Sequence, residues 1–190
     1  MPEEESNIKW ERFLSGDNDA YTWLYNEYIQ VLFRYGSRFT SDSELIKDCI
    51  QELFTTLYKK RKVLIHPENV KVYLFISLKN NLSRALQQKA KYKYIEEDTT
   101  SFLLEPNVED QYIDNESESI RQNMVQKILM ALTPRQKEII YYRYIQELDF
   151  DEICLLMNFN YQSAQNLLQR SINKIREHFL PKNPNSESQK

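Results

Sequence analysis

The sequence predicts an all-α protein: two small helical domains joined by an acidic flexible linker, the second domain carrying a helix-turn-helix. Three observations carry that prediction. Gly16 and Gly36 are the only glycines among 190 residues and six residues are proline, too few turn formers for a β-rich or α/β fold. Apolar residues recur at i, i+3, i+4 spacing through most of the chain. That pattern stops between Ile95 and Ile120, where nine residues are Asp or Glu and none is Lys or Arg. Domains are therefore expected at 8–92 and 120–180, with 93–119 as the linker.

In chain order, residues 1–7 are expected to be disordered and Ile8 to Leu14 to form a short helix packing through Trp10, Phe13 and Leu14. Ser15-Gly16-Asp17-Asn18-Asp19 reads as a turn. A long helix from about Asp19 to Phe39 places Tyr21, Leu24, Tyr25, Tyr28, Leu32 and Tyr35 on one side. Ser41 and Glu44 have capping-box spacing and open a helix to about Lys60, which packs through Leu45, Ile46, Cys49, Ile50, Leu53, Phe54 and Leu57. Arg61 to Val70 is a loop, with Pro67 placed to begin the following helix. That helix runs from about Asn69 to Lys91.

The second domain is expected to begin near Ser119 with a helix to Ala131. Thr133, Pro134 and Gln136 supply a cap, a first-turn proline and the reciprocal capping-box residue. The helix they open continues through Ile139, Ile140, Tyr142 and Tyr144. Asp149 and Glu152 form another capping box for a short helix with Phe150, Ile153, Cys154 and Met157 on one face. Asn158 sits where a left-handed residue ends a helix, and Asn160 is placed to cap the next. That helix turns Ala164, Leu167, Leu168, Ser171, Ile172, Ile175 and Phe179 inward. Gln162, Gln165, Asn166, Gln169, Arg170, Asn173 and Arg176 face outward. A face of amides and guanidinium groups can make bidentate contacts to base edges in a major groove. The bland reading of the same stretch is a helical hairpin with a solvated face.

Composition excludes much else. Two histidines, His66 and His178, and two distant cysteines, Cys49 and Cys154, provide neither a zinc ligand set nor a catalytic triad. No glycine loop is present to cradle a phosphate. The carboxylates read as caps and solvated surface, so no enzyme activity is expected. The acidic start Met-Pro-Glu-Glu-Glu is unlike a signal peptide, and the run Val72 to Leu78 is too short to cross a bilayer. A reduced, cytoplasmic protein without membrane insertion is expected. The net charge of −3 is unusual for a protein that holds DNA unaided, because tight binding needs several Lys or Arg on phosphates. It points to DNA binding helped by a partner.

Two further stretches carry chemistry. Asp48, Gln51 and Glu52 share a stripe at i, i+3, i+4 spacing with Phe54 on its apolar edge; by spacing alone this is a solvated helix face. Val72 to Arg84 interleaves aromatics, amides and bases, a composition suited to single-stranded nucleic acid. Within it Tyr73 and Phe75 fit the core better than a stacking platform, leaving Lys79, Asn80 and Arg84 as the functional set.

Together these segments resemble the extracytoplasmic-function sigma factors, the two-domain members of the sigma-70-type family. The residues that carry the resemblance are Asp48-x-x-Gln51-Glu52-x-Phe54, Tyr73-Leu74-Phe75 with Asn80, Leu132-Thr133-Pro134-Arg135-Gln136, Asp151-Glu152-Ile153 and the helix Tyr161 to Arg176. The resemblance implies that Asp48, Gln51, Glu52 and Phe54 dock on core RNA polymerase. It implies that the loop Lys62 to Val70, with Lys79, Asn80 and Arg84, melts the −10 element and holds a flipped base. It assigns the −35 element to Ser163, Gln165, Asn166, Gln169 and Arg170, and routes the linker toward the RNA exit path. It implies promoter DNA and an anti-sigma factor as further partners and no cofactor. Gln87-Gln88 stand where many relatives have basic residues, Gln165 where many have Lys or Arg, and Arg84 where many have an acid. The promoter sequence therefore cannot be borrowed from relatives. The competing reading is a stand-alone helix-turn-helix regulator whose first domain senses a ligand or dimerises. A third is a helical adaptor that does not touch DNA.

Overall fold

The computed structural model describes residues 2–93, 102–103 and 116–179. The rest of the expected linker up to residue 115, and the tail from residue 180, lie outside the described residues. Every regular element among the described residues is helical, and the chain divides into two compact units, Met1–Ser101 and Phe102–Lys190.

The first unit holds α1 (Pro2–Leu14), α2 (Asn18–Gly36), α3 (Ser43–Lys60) and α4 (Val70–Lys93). Helix α1 begins well before Ile8, contrary to the disorder expected for residues 1–7. The reason is tertiary: Ser6 is buried, and the Tyr28 hydroxyl on α2 donates to its Oγ at 2.7 Å. Trp10 is fully buried and meets Phe13 and Tyr73 edge-on, tying α1 to α4. Both glycines have a structural use. Gly16 takes φ +98° in the turn after α1, where a side chain would be strained. At Gly36 a Cβ would lie 2.7 Å from Ile46 Cγ2, so glycine lets α2 approach α3. At the centre Tyr35 stacks on Phe75, with centroids 4.1 Å apart and planes within 9°.

Two helix starts differ from expectation. Helix α3 is capped by Asp42, not Ser41: its Oδ1 accepts the Leu45 amide at 3.0 Å while Oδ2 meets Lys89 Nζ at 2.6 Å. Ser and Asp are both good caps, and the cation on α4 favours the carboxylate. Helix α4 begins at Val70, capped by Asn69, whose Oδ1 accepts the Val72 amide at 3.1 Å. Pro67 therefore stays in the loop rather than opening the helix.

The second unit holds α5 (Glu116–Ala131), α6 (Pro134–Ile140), a π-helical turn (Tyr141–Ile145), α7 (Phe150–Met157) and α8 (Tyr161–Phe179). The Thr133–Gln136 box and Pro134 open α6 as expected. The helical backbone continues through Tyr144 as expected, but from Tyr141 it is a π turn. The π turn inserts a residue into the helical register, burying Tyr141 and Tyr142 side by side and leaving Tyr144 exposed. Glu147, with φ +57°, then completes the bend into α7. Phe102, placed in the linker by sequence, is 2% exposed against Tyr141 and Tyr142, at centroid distances of 5.3 and 6.2 Å.

Candidate nucleic-acid interface

Helices α7 and α8 form the helix-turn-helix, and local chemistry fixes both ends of the turn. The Glu152 amide donates to Asp149 Oδ1 and the Asp149 amide to Glu152 Oε2, each at 2.8 Å. Asn158 takes φ 54°, ψ 49° and ends α7 in the left-handed conformation. Asn160 Oδ1 accepts the Ser163 amide at 2.8 Å and starts α8. Ile153, Leu156 and Met157 on α7 are buried with Ala164, Leu168 and Ser171 on α8. Ser171 satisfies its hydroxyl on the Leu167 carbonyl at 2.7 Å, so a polar side chain sits in the core without an orphaned donor.

The opposite side of α8 is as expected from sequence. Gln162, Ser163, Asn166, Gln169, Arg170, Asn173 and Arg176 are exposed, while Gln165 is half-buried. The amides pair along the helix: Gln162 Nε2 donates to Asn166 Oδ1 at 3.2 Å, and Gln169 Nε2 to Asn173 Oδ1 at 3.0 Å. Arg170 Nε donates to the Asn166 carbonyl at 3.2 Å. These surface bonds are weak, so the groups are oriented yet can exchange for base edges.

On α4, Asn80 and Arg84 are exposed and Lys79 is half-buried, its Nζ 6.0 Å from the Phe39 ring centroid. Arg84 Nη2 donates to Asn81 Oδ1. Phe75 is fully buried and Tyr73 half-buried against Trp10, so neither ring is a platform for bases. The preceding loop, which the resemblance assigned to the −10 element, presents two side chains that sequence reading did not single out. Val63 and Ile65 are 78% and 84% exposed, next to the solvated Lys59, Lys60 and Lys62. Two apolar side chains held in water within a basic, proline-bearing loop were the available signal.

On α3, Asp48, Gln51 and Glu52 are exposed on one stripe. Phe54 is not part of that surface: it is 2% exposed, with its ring 4.9 Å from Tyr25 and 6.2 Å from Tyr21. The Tyr21 hydroxyl donates to the Phe54 carbonyl at 3.1 Å. Phe54 thus fixes α3 against α2 rather than forming the apolar edge of the stripe, while Tyr25 on α2 and Tyr58 on α3 are partly exposed.

Neither cysteine is set up as a nucleophile. Burial, then the Glu52 and Asp48 carboxylates, push the Cys49 thiol up; burial and Asp151 do the same for Cys154. No group of three or more His, Cys, Asp or Glu among the described residues could hold a metal, and no described helix is long and apolar enough to cross a membrane.

Comparison with known proteins agrees with this geometry. The family model of sigma-70 region 2 matches residues 24–92, and that of sigma-70 region 4 matches residues 122–175. The RNA polymerase sigma factor YlaC of Bacillus subtilis (strain 168) is 20% identical over 155 residues, spanning 80% of this chain and 88% of that one. The fold is similar to CnrH in its complex with the cytosolic domain of CnrY, with TM-score 0.59 and 14% identity over 92% of this chain and 97% of that one. It is also similar to the sigma factor RpoE in its complex with the anti-sigma factor NepR from Bartonella quintana, with TM-score 0.58 and 15% identity over 84% and 96% of the two chains. With regions 2 and 4 each matched on its own compact unit, the chain belongs to the sigma-70 family and is an RNA polymerase sigma factor of the extracytoplasmic-function type.

Proposed function

We propose that this sigma factor divides promoter recognition between its units and draws most of its DNA affinity from core RNA polymerase. The observation that carries this is the poverty of positive charge on the reading face of α8. Arg170 and Arg176 are its only exposed cations among Gln162–Arg176, set among amides. Such a face discriminates base edges but neutralises few phosphates, so it holds DNA weakly when alone. Region 4 then reads the −35 element through Ser163, Gln165, Asn166, Gln169 and Arg170. The exposed carboxylates and amide of Asp48, Gln51 and Glu52 dock on the polymerase, with Phe54 holding their helix from behind.

Lys79, Asn80 and Arg84 on α4, with the exposed apolar tips Val63 and Ile65, act on the −10 element. Extruding a base costs a few kcal/mol, which the pocket receiving it must return in edge and stacking contacts. The acidic segment between the units is assigned to the RNA exit path. The protein acts in the cytoplasm without a catalytic group or cofactor of its own, and an anti-sigma factor restrains it. The likeness to RpoE in its complex with NepR supports that last assignment.

A stand-alone regulator is disfavoured because the region 2 match falls on the segment that reading would give to sensing or dimerisation. The test is a binding titration of the chain with core polymerase. Saturable one-to-one binding supports the proposal; no binding to core, with footprinting of DNA by the chain alone, supports the regulator.

A further inference from the structure

We propose that Phe102 is an anchor that shortens the tether between the two units, and that it thereby limits the promoter spacer lengths the protein accepts. The proposal rests on the promoter-reading role above and adds a specificity determinant to it. Phe102 is 2% exposed and belongs to the second unit, although α5 begins only at Glu116. Its ring meets Tyr141 at 5.3 Å and Tyr142 at 6.2 Å, and those two rings are 5.9 Å from each other. The pair is brought together by the π turn, which turns two consecutive aromatics inward. Tyr142 is further held by its hydroxyl on Glu138 at 3.0 Å and by its carbonyl, which accepts the Leu148 amide at 3.0 Å. The seat for Phe102 is therefore built from the residues that carry α6 into the helix-turn-helix.

The consequence is one of chain length. Between Lys93, the last residue of α4, and Phe102 lie residues 94–101, so nine peptide links join the units when Phe102 is seated. Without the anchor, the connection would run from Lys93 to Glu116, or 23 links. At about 3.3–3.6 Å per residue fully extended, the reach is ~30 Å in the first case and ~80 Å in the second. With Phe102 seated, the stretch between it and Glu116 begins and ends on the second unit and so adds nothing to the reach between units.

Two insertions separate this account from a simple linker. Six Gly/Ser residues placed between Ser101 and Phe102 lengthen the anchored tether; the same six between Pro106 and Asn107 fall after the anchor and leave the tether as it is. In the full chain, with Cys49 and Cys154 replaced by Ala, dyes on Gln30→Cys and Lys127→Cys report the distance between units. The first insertion is expected to extend the upper edge of the distance distribution by up to ~20 Å, and the second to leave it unchanged. In a Phe102→Ala background both insertions should act alike.

With reconstituted holoenzyme, on a promoter fragment selected from random DNA, the first insertion should raise run-off from spacers lengthened by two or more base pairs. The second should keep the wild-type spacer profile. Equal effects of the two insertions on distance in the Phe102 chain would overturn the anchor. Asymmetric distances with identical spacer profiles would overturn its role in specificity. Absence of transcription from the unmodified chain as well would instead count against the promoter-reading role, and the distance measurement would still decide the anchor.

Discussion

Asn160 Oδ1 accepts the backbone amide of Ser163 at 2.8 Å, so the residue that starts α8 also fixes the first of the side chains assigned to the −35 element. Cap and reading face are thus one local structure. Asn160→Ala should cost about 1 kcal/mol of stability in the second unit, and Asn160→Ser much less. Both tryptophans, Trp10 and Trp23, belong to the first unit, so their fluorescence should not move. Urea unfolding followed by backbone circular dichroism should show the loss.

Arg170 lies on the exposed face, its Nε donating to the Asn166 carbonyl. Arg170→Ala should reduce discrimination between the preferred promoter and single-base variants by ~1–3 kcal/mol at one position. Competition run-off with a set of −35 variants measures this. A uniform loss across all variants would reassign Arg170 to a phosphate.

Glu52 and Phe54 are two residues apart but should fail differently. Glu52→Lys reverses the charge of an exposed residue, so it should weaken core polymerase binding and leave the melting temperature near wild type. Phe54→Ala removes a buried ring packed on Tyr21 and Tyr25 and should destabilise the first unit by about 3–5 kcal/mol. Calorimetry and a core-binding titration on both variants separate the contact residue from the one that positions it.

Acid should loosen the first unit through its caps. Lys89, then the Leu45 amide, hold the Asp42 carboxyl below its ordinary value of 3.8. The Ala20 amide, then Arg12, do the same for Asp17. A carboxylate whose folded pKa is depressed stabilises the fold above its unfolded pKa, and that contribution is lost as pH falls through the folded value. Tryptophan fluorescence should therefore report a melting temperature that declines below pH ~4. Asp42→Asn, which keeps a capping oxygen, should flatten that decline.

Much of the second unit was legible because its boundaries are set by neighbours in sequence. Thr133 with Gln136, Asp149 with Glu152, Asn158 and Asn160 all make the caps expected of them. What was not legible depends on distant partners. Asp42 outcompetes Ser41 because Lys89 lies 47 residues on. The acidic start of α1 hid the bond between Ser6 and Tyr28. The π turn at Tyr141–Ile145 carries no glycine or proline to mark it, and the residue at positive φ that ends the bend is Glu147. At the site, the outward face of α8 followed from helical periodicity. The solvent exposure of Val63 and Ile65 did not, because an irregular loop has no period from which to read it.

Run-off transcription with and without core polymerase decides whether the two units read a promoter together on the enzyme. A discrete, promoter-dependent transcript is expected when the chain is added to core, lost when either the −35 or the −10 element is scrambled. The chain alone should leave no protected footprint at physiological salt. A protected −35 element without core, together with no transcript when core is supplied, would show instead a DNA reader that works without the polymerase.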